Sequence, residues 1–287
     1  PRKIYFTLPK SFQAFMRNAT VIPFAKLTHT KILGELPGTS FLFLNRGKGI
    51  RYHIGLFFLR QIDEIRFLSP RIASLHASYK FKKPVIIENG ISFAGKKYVD
   101  PEVFKRPVLE LLYIGAIERS KGIFNTLEAL KICSERNVRF HFHIVGYWPD
   151  STEEKEAISY IETHKLKNLI TLHGILTDEP KWDLLSRCSI LVHPTYWDGV
   201  PLTILEALAA GLPVISTRVG GIPDTIKNGV NGTILNENST EELSNVLMHY
   251  NNNREELLTI SENNRALFKE RFDLKIFLHN MEEWFKT

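Results

Sequence analysis

The sequence predicts an α/β protein made of two Rossmann-like domains, each a parallel sheet covered by helices, facing each other across a cleft. Three observations lead there. The 287 residues suit about two domains at roughly 150 residues each. The 44% hydrophobic and 11% aromatic content is that of a globular chain, not of a disordered or collagen-like one. Short apolar runs alternate with helical stretches along the whole length, the pattern of βα units.

The elements follow in order. Residues 4–8 read as a strand. Ser11 is placed to cap a helix running to Leu27, with Pro23 as an irregularity. Residues 31–36 and 65–68 read as strands, and 70–79 as a helix with Pro70 in its first turn. Residues 85–88 form another strand, closed by Asn89-Gly90. The polar stretch 92–107, with Gly95, Pro101 and Pro107, reads as a linker. Beyond it strands are expected at 109–114, 139–145, 169–173, 189–193, 214–216 and 233–235. Helices are expected at 122–136, 152–164, 179–187 and 201–210, and from Ser239 to the C-terminus. The domains are therefore set at 1–100 and 107–272, with a C-terminal helix over 273–287 packing back on the first domain. Beyond the C-terminal ends of parallel strands is where such folds hold ligands.

Charge is unevenly distributed. Residues 1–106 hold 19 Lys+Arg and 6 Asp+Glu, while the rest holds 18 basic and 25 acidic residues. The basic part fits an anionic acceptor or membrane surface, or is nonspecific. Nucleic acid is not expected, because no nucleic-acid motif accompanies the charge. Two cysteines, Cys133 and Cys188, exclude a disulfide framework and point to a reduced intracellular chain. No apolar run approaches the ~20 residues of a membrane span; the longest lie at 41–44 and 54–59. The start, Pro1-Arg2-Lys3-Ile4, reads as a strand without a leader or initiator Met, so a fragment or a reduced first domain is expected. The Asn-x-Thr sequons at Asn18, Asn231 and Asn238 are read as chance.

Three segments carry chemistry. Gly115-Ala116-Ile117-Glu118-Arg119-Ser120-Lys121-Gly122 joins a strand to a helix, where free N–H groups, the helix dipole and two cations suit a diphosphate. The alternative is a solvated basic loop. The second runs from Pro194 through Asp198-Gly199-Val200-Pro201-Leu202-Thr203 to Glu206 and Gly211. A helix opening near Pro201 would point N–H groups at the loop, with the Asp198 and Glu206 carboxylates placed for hydroxyls. A turn residue and a surface charge are the plainer readings, although the small run after Glu206 argues for tight packing. The third, Thr217-Arg218-Val219-Gly220-Gly221-Ile222-Pro223-Asp224, is either a close backbone approach or a simple turn. His141 and His143 share a strand face without a third metal ligand, so both are read as strand residues. Phe124, Phe140 and Phe142 are read as core.

In that order and spacing, residues 84–287 resemble the C-terminal part of a glycosyltransferase family 4 enzyme of the GT-B fold. The matching elements are Asn89-Gly90, Gly115…Lys121-Gly122, His143-Ile144-Val145-Gly146, Leu172-His173-Gly174, Asp198-x7-Glu206, Gly211-x-Pro213, and Gly220-Gly221-Ile222-Pro223-Asp224…Asn231-Gly232. The resemblance implies transfer of a sugar, with retention, from a UDP- or GDP-linked donor to a glycan or lipid-linked acceptor, without metal or other cofactor. Arg119 and Lys121 would hold the diphosphate, Glu206 the ribose, and Asp198 the transferred sugar. Gly115, Ala116, Gly146, His173, Gly174, Ile175, Gly199, Val200, Pro201, Leu202 and Thr203 would line the donor, with Ile175 at the base. Family members often have Arg at the position of Ala116 and Glu at that of Asp198. On the acceptor side, Pro37-Gly38 stands where a His-Gly pair is usual, and the opening strands have no counterpart. The resemblance further implies polysaccharide assembly on the cytoplasmic side, peripheral to a membrane. A non-catalytic donor-binding subunit and a nucleotide-sugar epimerase are the alternatives.

Overall fold

In a computed structural model the described residues are 2–9, 11–36, 38, 49–236 and 239–287. The chain divides into two compact units. The first is Pro1–Asn89 with Asp198–Val200 and His279–Thr287; the second is Gly90–Trp197 with Pro201–Leu278.

The first unit carries four parallel strands in the order β1-β2-β3-β4: β1 Lys3–Thr7, β2 Lys31–Leu36, β3 Glu64–Phe67 and β4 Pro84–Ile86. Helices α1 (Phe12–Ala19), α2 (Val21–Leu27), α3 (Ile50–Leu59) and α4 (Pro70–Leu75) connect them. Leu8, Phe15, Ile22, Leu33, Leu36, Leu59, Phe67 and Ile72 are buried as its core. The Ser11 side chain caps α1 as expected, but the helix expected to Leu27 breaks at Thr20 rather than at Pro23. With the break there, Pro23 falls in the first turn of α2, where its missing N–H costs nothing. The helix expected over 70–79 ends at Leu75, and a 3-10 turn, Ala77–Tyr79, follows. Helix α3 forms where the sequence shows only an apolar run too short to span a membrane, with no helical signal assigned to it.

Two adjacent carboxylates tie this unit together. Glu64 pairs with Lys31 at 2.8 Å and Lys83 at 2.9 Å, and accepts from Trp284 Nε1 at 2.7 Å. Asp63 pairs with Lys26 at 2.9 Å and Lys82 at 2.8 Å, and accepts from the Ile32 N–H at 2.9 Å. Burial works to raise the Asp63 pKa, but these hydrogen bonds outweigh it and hold the carboxyl at about 2. A depressed folded pKa contributes stability above the unfolded value, lost as pH falls through about 2. Asp63→Asn is therefore expected to lower Tm at pH 7 and to flatten its decline between about pH 5 and 2. Scanning calorimetry checks this; an acid limb equal to wild type contradicts it.

The second unit carries six parallel strands in the order β10-β9-β8-β5-β6-β7. They are β5 Leu109–Ile114, β6 Phe140–Val145, β7 Ile170–Gly174, β8 Ile190–His193, β9 Val214–Thr217 and β10 Gly232–Leu235. The helices are α5 Ile123–Glu135, α6 Ser151–Thr163, α7 Asp178–Arg187, α8 Leu202–Ala210, α9 Ile222–Thr225, α10 Thr240–Asn252, α11 Arg254–Leu267 and α12 Leu274–Lys286. β5 and β8 are nearly continuous apolar runs, as strands buried on both faces tend to be, and β9 is buried throughout although it ends in Ser216 and Thr217.

Residues 92–107 are not a linker. Val99 donates to Ala210 O at 2.8 Å and Asp100 to Ser186 O at 3.1 Å. Val103 and Phe104 are buried, and the Phe93 ring packs edge-on against Trp182 at 5.4 Å. The polar composition hid four apolar anchors that follow no regular period. The division falls instead at Asn89/Gly90. Gly90 is required there, because a Cβ would lie 2.5 Å from Phe277 Cβ. α12 starts with the second unit, and from His279 it belongs to the first. Among the described residues, no helix is long and apolar enough to cross a membrane. Residues 41–44, Pro37 and Asn238 lie outside the described residues.

Candidate donor-binding site on the second unit

Counted from β5, the second sheet has the order 3-2-1-4-5-6, which places its topological switch point between β5 and β8. Connections from these two neighbours leave in opposite directions, so the loops after Ile114 and His193 border a crevice at their C-terminal ends. These loops are the first two segments singled out in the sequence.

Glycines bring the strand ends together. Gly146, after β6, donates to Gly174 O at 2.8 Å, and Gly115, after β5, donates to Val145 O at 3.0 Å. A Cβ on Gly146 would lie 1.8 Å from Gly115 O, so no other residue fits. Gly122 has φ +78, and a Cβ there would lie 2.1 Å from Pro194 O. That close approach lets the two switch-point loops bond to each other. Tyr196 N–H donates to Ser120 O at 2.9 Å, Tyr196 OH to Asn125 Oδ1 at 2.9 Å, and Lys121 Nζ to Trp197 O at 3.0 Å. Beneath them the buried Tyr113 donates to Ala116 O at 2.5 Å.

Pro201 precedes α8, and the helix interior is buried through Ile204, Leu205, Ala207 and Leu208. Among the described residues, the N–H groups of Leu202 and Thr203 meet no acceptor. The Thr203 hydroxyl is also buried without a partner. Unsatisfied donors at a helix N-terminus, with the positive end of its dipole, make an anion seat. One turn on, the half-buried Glu206 carboxylate accepts from Lys181 Nζ of α7 at 2.7 Å. Glu206 is thus neither a surface charge nor unpaired.

The other expected site residues fall as follows. Arg119 is exposed; its guanidinium pairs with Glu156, reaches Glu153 at 3.9 Å and lies 4.0 Å over the Phe124 ring. It is therefore held on the α6 side by carboxylates. Ile175 is 68% exposed just past β7, and Leu202 is 51% exposed. Asp198, Gly199 and Val200 group with the first unit, as does the buried Gly38. Asp198 accepts from Gly199 N–H at 3.0 Å. In the third segment, Gly221 precedes the single turn of α9, and Arg218 reaches Asn236 Oδ1 at 3.3 Å.

Sequence reasoning missed Lys181 and one polar chain. Glu110 Oε2 meets His143 Nε2 at 3.1 Å, and His143 Nδ1 meets His173 Nε2 at 3.0 Å, running across β5, β6 and β7. His141 meets Thr171 Oγ1 at 2.8 Å. His141 and His143 both lie in β6, as expected, but partly exposed rather than buried, and each bonds across to a neighbouring strand. The bond from His143 holds the Glu110 carboxyl below its usual range against burial, while burial lowers His141 and His173. Among the described residues, no set of His, Cys, Asp and Glu is placed to hold a metal ion.

A family model described as glycosyl transferases group 1 matches residues 98–267. An uncharacterized glycosyltransferase of Methanocaldococcus jannaschii is 28% identical over 159 residues, 55% of this chain and 43% of its own length. The amylovoran biosynthesis glycosyltransferase AmsK of Erwinia amylovora is 24% identical over 198 residues, 64% of this chain and 48% of its own. The chain thus spans about half the length of these relatives. The crystal structure of Anabaena HepE in complex with UDP superposes with a TM-score of 0.82 at 18% identity, covering 100% of this chain and 79% of that one. The C-terminal domain of a group 1 glycosyl transferase from Francisella tularensis matches 64% of this chain and 100% of its own at 0.58 and 20% identity. Two Rossmann-like parallel-sheet units matching GT-B glycosyltransferases are the fold.

Proposed function

The chain belongs to the group 1 family of glycosyl transferases, and on that premise we propose that it transfers a sugar, with retention, from a UDP-linked donor to a glycan or lipid-linked acceptor. The observation that carries the reading is the N-terminus of α8, with its unsatisfied Leu202 and Thr203 donors at the switch point of the sheet. The diphosphate sits there, and Lys121 supplies the cation. As the bond from the sugar to the diphosphate lengthens, negative charge grows on the leaving phosphate. Fixed donors, the dipole and Lys121 stabilise that charge without reorganising. Glu206, oriented by Lys181, accepts from the ribose hydroxyls, and Gly174 and Ile175 border the base. Asp198 is assigned to hydroxyls of the transferred sugar, and Pro37-Gly38 to the acceptor side. Arg119 contributes only if it leaves Glu153 and Glu156, so Lys121 is given the larger part.

UDP is preferred to GDP because HepE, similar in fold, is described with UDP and with UDP-glucose. An acceptor in polysaccharide assembly fits relatives named for amylovoran, colanic acid and capsular polysaccharide biosynthesis. A cytoplasmic location at an anionic membrane fits the first unit. Phe24 and Leu27 are 70% and 79% exposed on α2, beside Lys26. Calorimetric titration with UDP and GDP tests the donor. Saturation by UDP at one per chain is expected, and no saturable heat with either nucleotide overturns the reading.

A further inference from the structure

At the opposite end of the second sheet, a polar cavity of about 370 Å³ opens between the segment entering β5, the turn entering β6 and the start of α11. Its charged and amide groups are Lys105, Arg106, Asn137, Arg139, Asn251 and Arg254. The length of β5 separates it from the switch-point loops by about 20 Å.

The charge of this cavity is not paired off by direct ion pairs, although Arg106 is near enough to Glu110 to help hold its carboxyl below the usual range. Arg254 donates through Nε to Asn251 O at 3.2 Å and through Nη1 to Arg106 O at 2.9 Å and Val108 O at 3.5 Å. Through Nη2 it donates to Asn251 Oδ1 at 3.0 Å and Pro107 O at 3.4 Å. All these acceptors are neutral, so the clamp keeps its full positive charge while half-buried, where burial pushes its pKa down. Among the described residues, Arg106, Arg139 and Arg254 have no carboxylate within ion-pair distance. Lys105 is paired with Glu102 at 2.6 Å, and the nearby Glu110 is engaged with His143. Three guanidinium charges therefore converge on one concavity. Its volume is in the range of small-molecule sites, roughly 300–1,000 Å³.

We infer that this cavity is a second anion site, distinct from the donor crevice, that binds a phosphoryl group through Arg106 and Arg139, with Arg254 as a fixed positive base. The exposed side chains of Arg106 and Arg139 supply the planar donor pairs that suit phosphate oxygens. The Asn137 and Asn251 amides line the remaining wall. The free anion and a phosphomonoester share this chemistry. The inference does not rest on the donor reading.

The test is calorimetric titration of the whole chain with inorganic phosphate and with glycerol phosphate at matched ionic strength. It compares wild type, Arg106→Gln/Arg139→Gln and Lys121→Ala. Saturable binding to wild type and Lys121→Ala, weakened at least about tenfold in the double variant, is expected. Glycerol phosphate binding at least as tightly as inorganic phosphate identifies an esterified ligand; tighter inorganic phosphate identifies the free anion. Equal binding by the double variant and wild type overturns the inference. So does loss of binding in Lys121→Ala alone, which places the phosphate in the donor crevice. Both arginines are exposed, so the double variant is expected to keep the wild-type Tm, and melting curves check this.

Discussion

Lys121→Ala is expected to weaken UDP binding by about 10- to 100-fold, the worth of a charge-assisted hydrogen bond. Turnover of the sugar nucleotide is expected to fall further, by about 100-fold or more, because charge on the leaving diphosphate peaks in the transition state. The amine is held at the right place by its bond to Trp197 O, which bridges the two switch-point loops. The substitution is at a partly exposed position, and the loops keep their Tyr196–Ser120 and Tyr196–Asn125 bonds, so the fold is expected to survive. Arg119→Ala is the internal control. Its guanidinium is held by Glu153 and Glu156, so a smaller loss is expected. Titration calorimetry and release of UDP from UDP-glucose measure both. Equal losses in the two variants would return the diphosphate to Arg119.

Glu206→Ala carries the second large effect. It removes the acceptor proposed for the ribose hydroxyls and leaves Lys181, a half-buried cation, without its partner. Stripping one member of such a pair costs more than the pair is worth, because the remaining charge stays desolvated. Loss of UDP binding by about 100-fold and a lower Tm are both expected. Lys181→Met separates the two roles. It keeps the carboxylate and the packing of the stem, so it is expected to retain part of the affinity that Glu206→Ala loses. If Lys181→Met and Glu206→Ala bind UDP equally poorly, Glu206 acts by holding the fold of α7 and α8 rather than the ribose.

The second unit was the more legible half, and the reason lies in its strands. β5, β6, β8 and β9 are short, rich in apolar residues and followed by glycine or proline or preceded by them, so their bounds are legible within a residue or two. The switch-point loops were legible for the same reason, because Gly122 and Gly146 sit where backbone meets backbone and only glycine fits. What could not be read was pairing between elements. Lys181 finds Glu206 only because α7 packs beside α8, and nothing in Asp-Glu-Pro-Lys-Trp signals that register. The chain from Glu110 through His143 to His173 needs β5, β6 and β7 in parallel register, whereas the sequence showed only two histidines on one strand face. The segment over 92–107 misled because Val99, Val103 and Phe104 bury themselves, and Phe93 packs on Trp182, without a period. The break of the first helix at Thr20, instead of at Pro23, shows a proline shifting a boundary rather than marking it.

The start of α8 is the proposed seat of a nucleotide diphosphate. A crystal structure of the chain with UDP tests it most directly. Phosphate oxygens are expected within hydrogen-bond distance of the Leu202 and Thr203 N–H groups and of Lys121 Nζ, with the ribose hydroxyls on Glu206. A nucleotide bound away from α8, with its phosphates among Arg106, Arg139 and Arg254 instead, would contradict it.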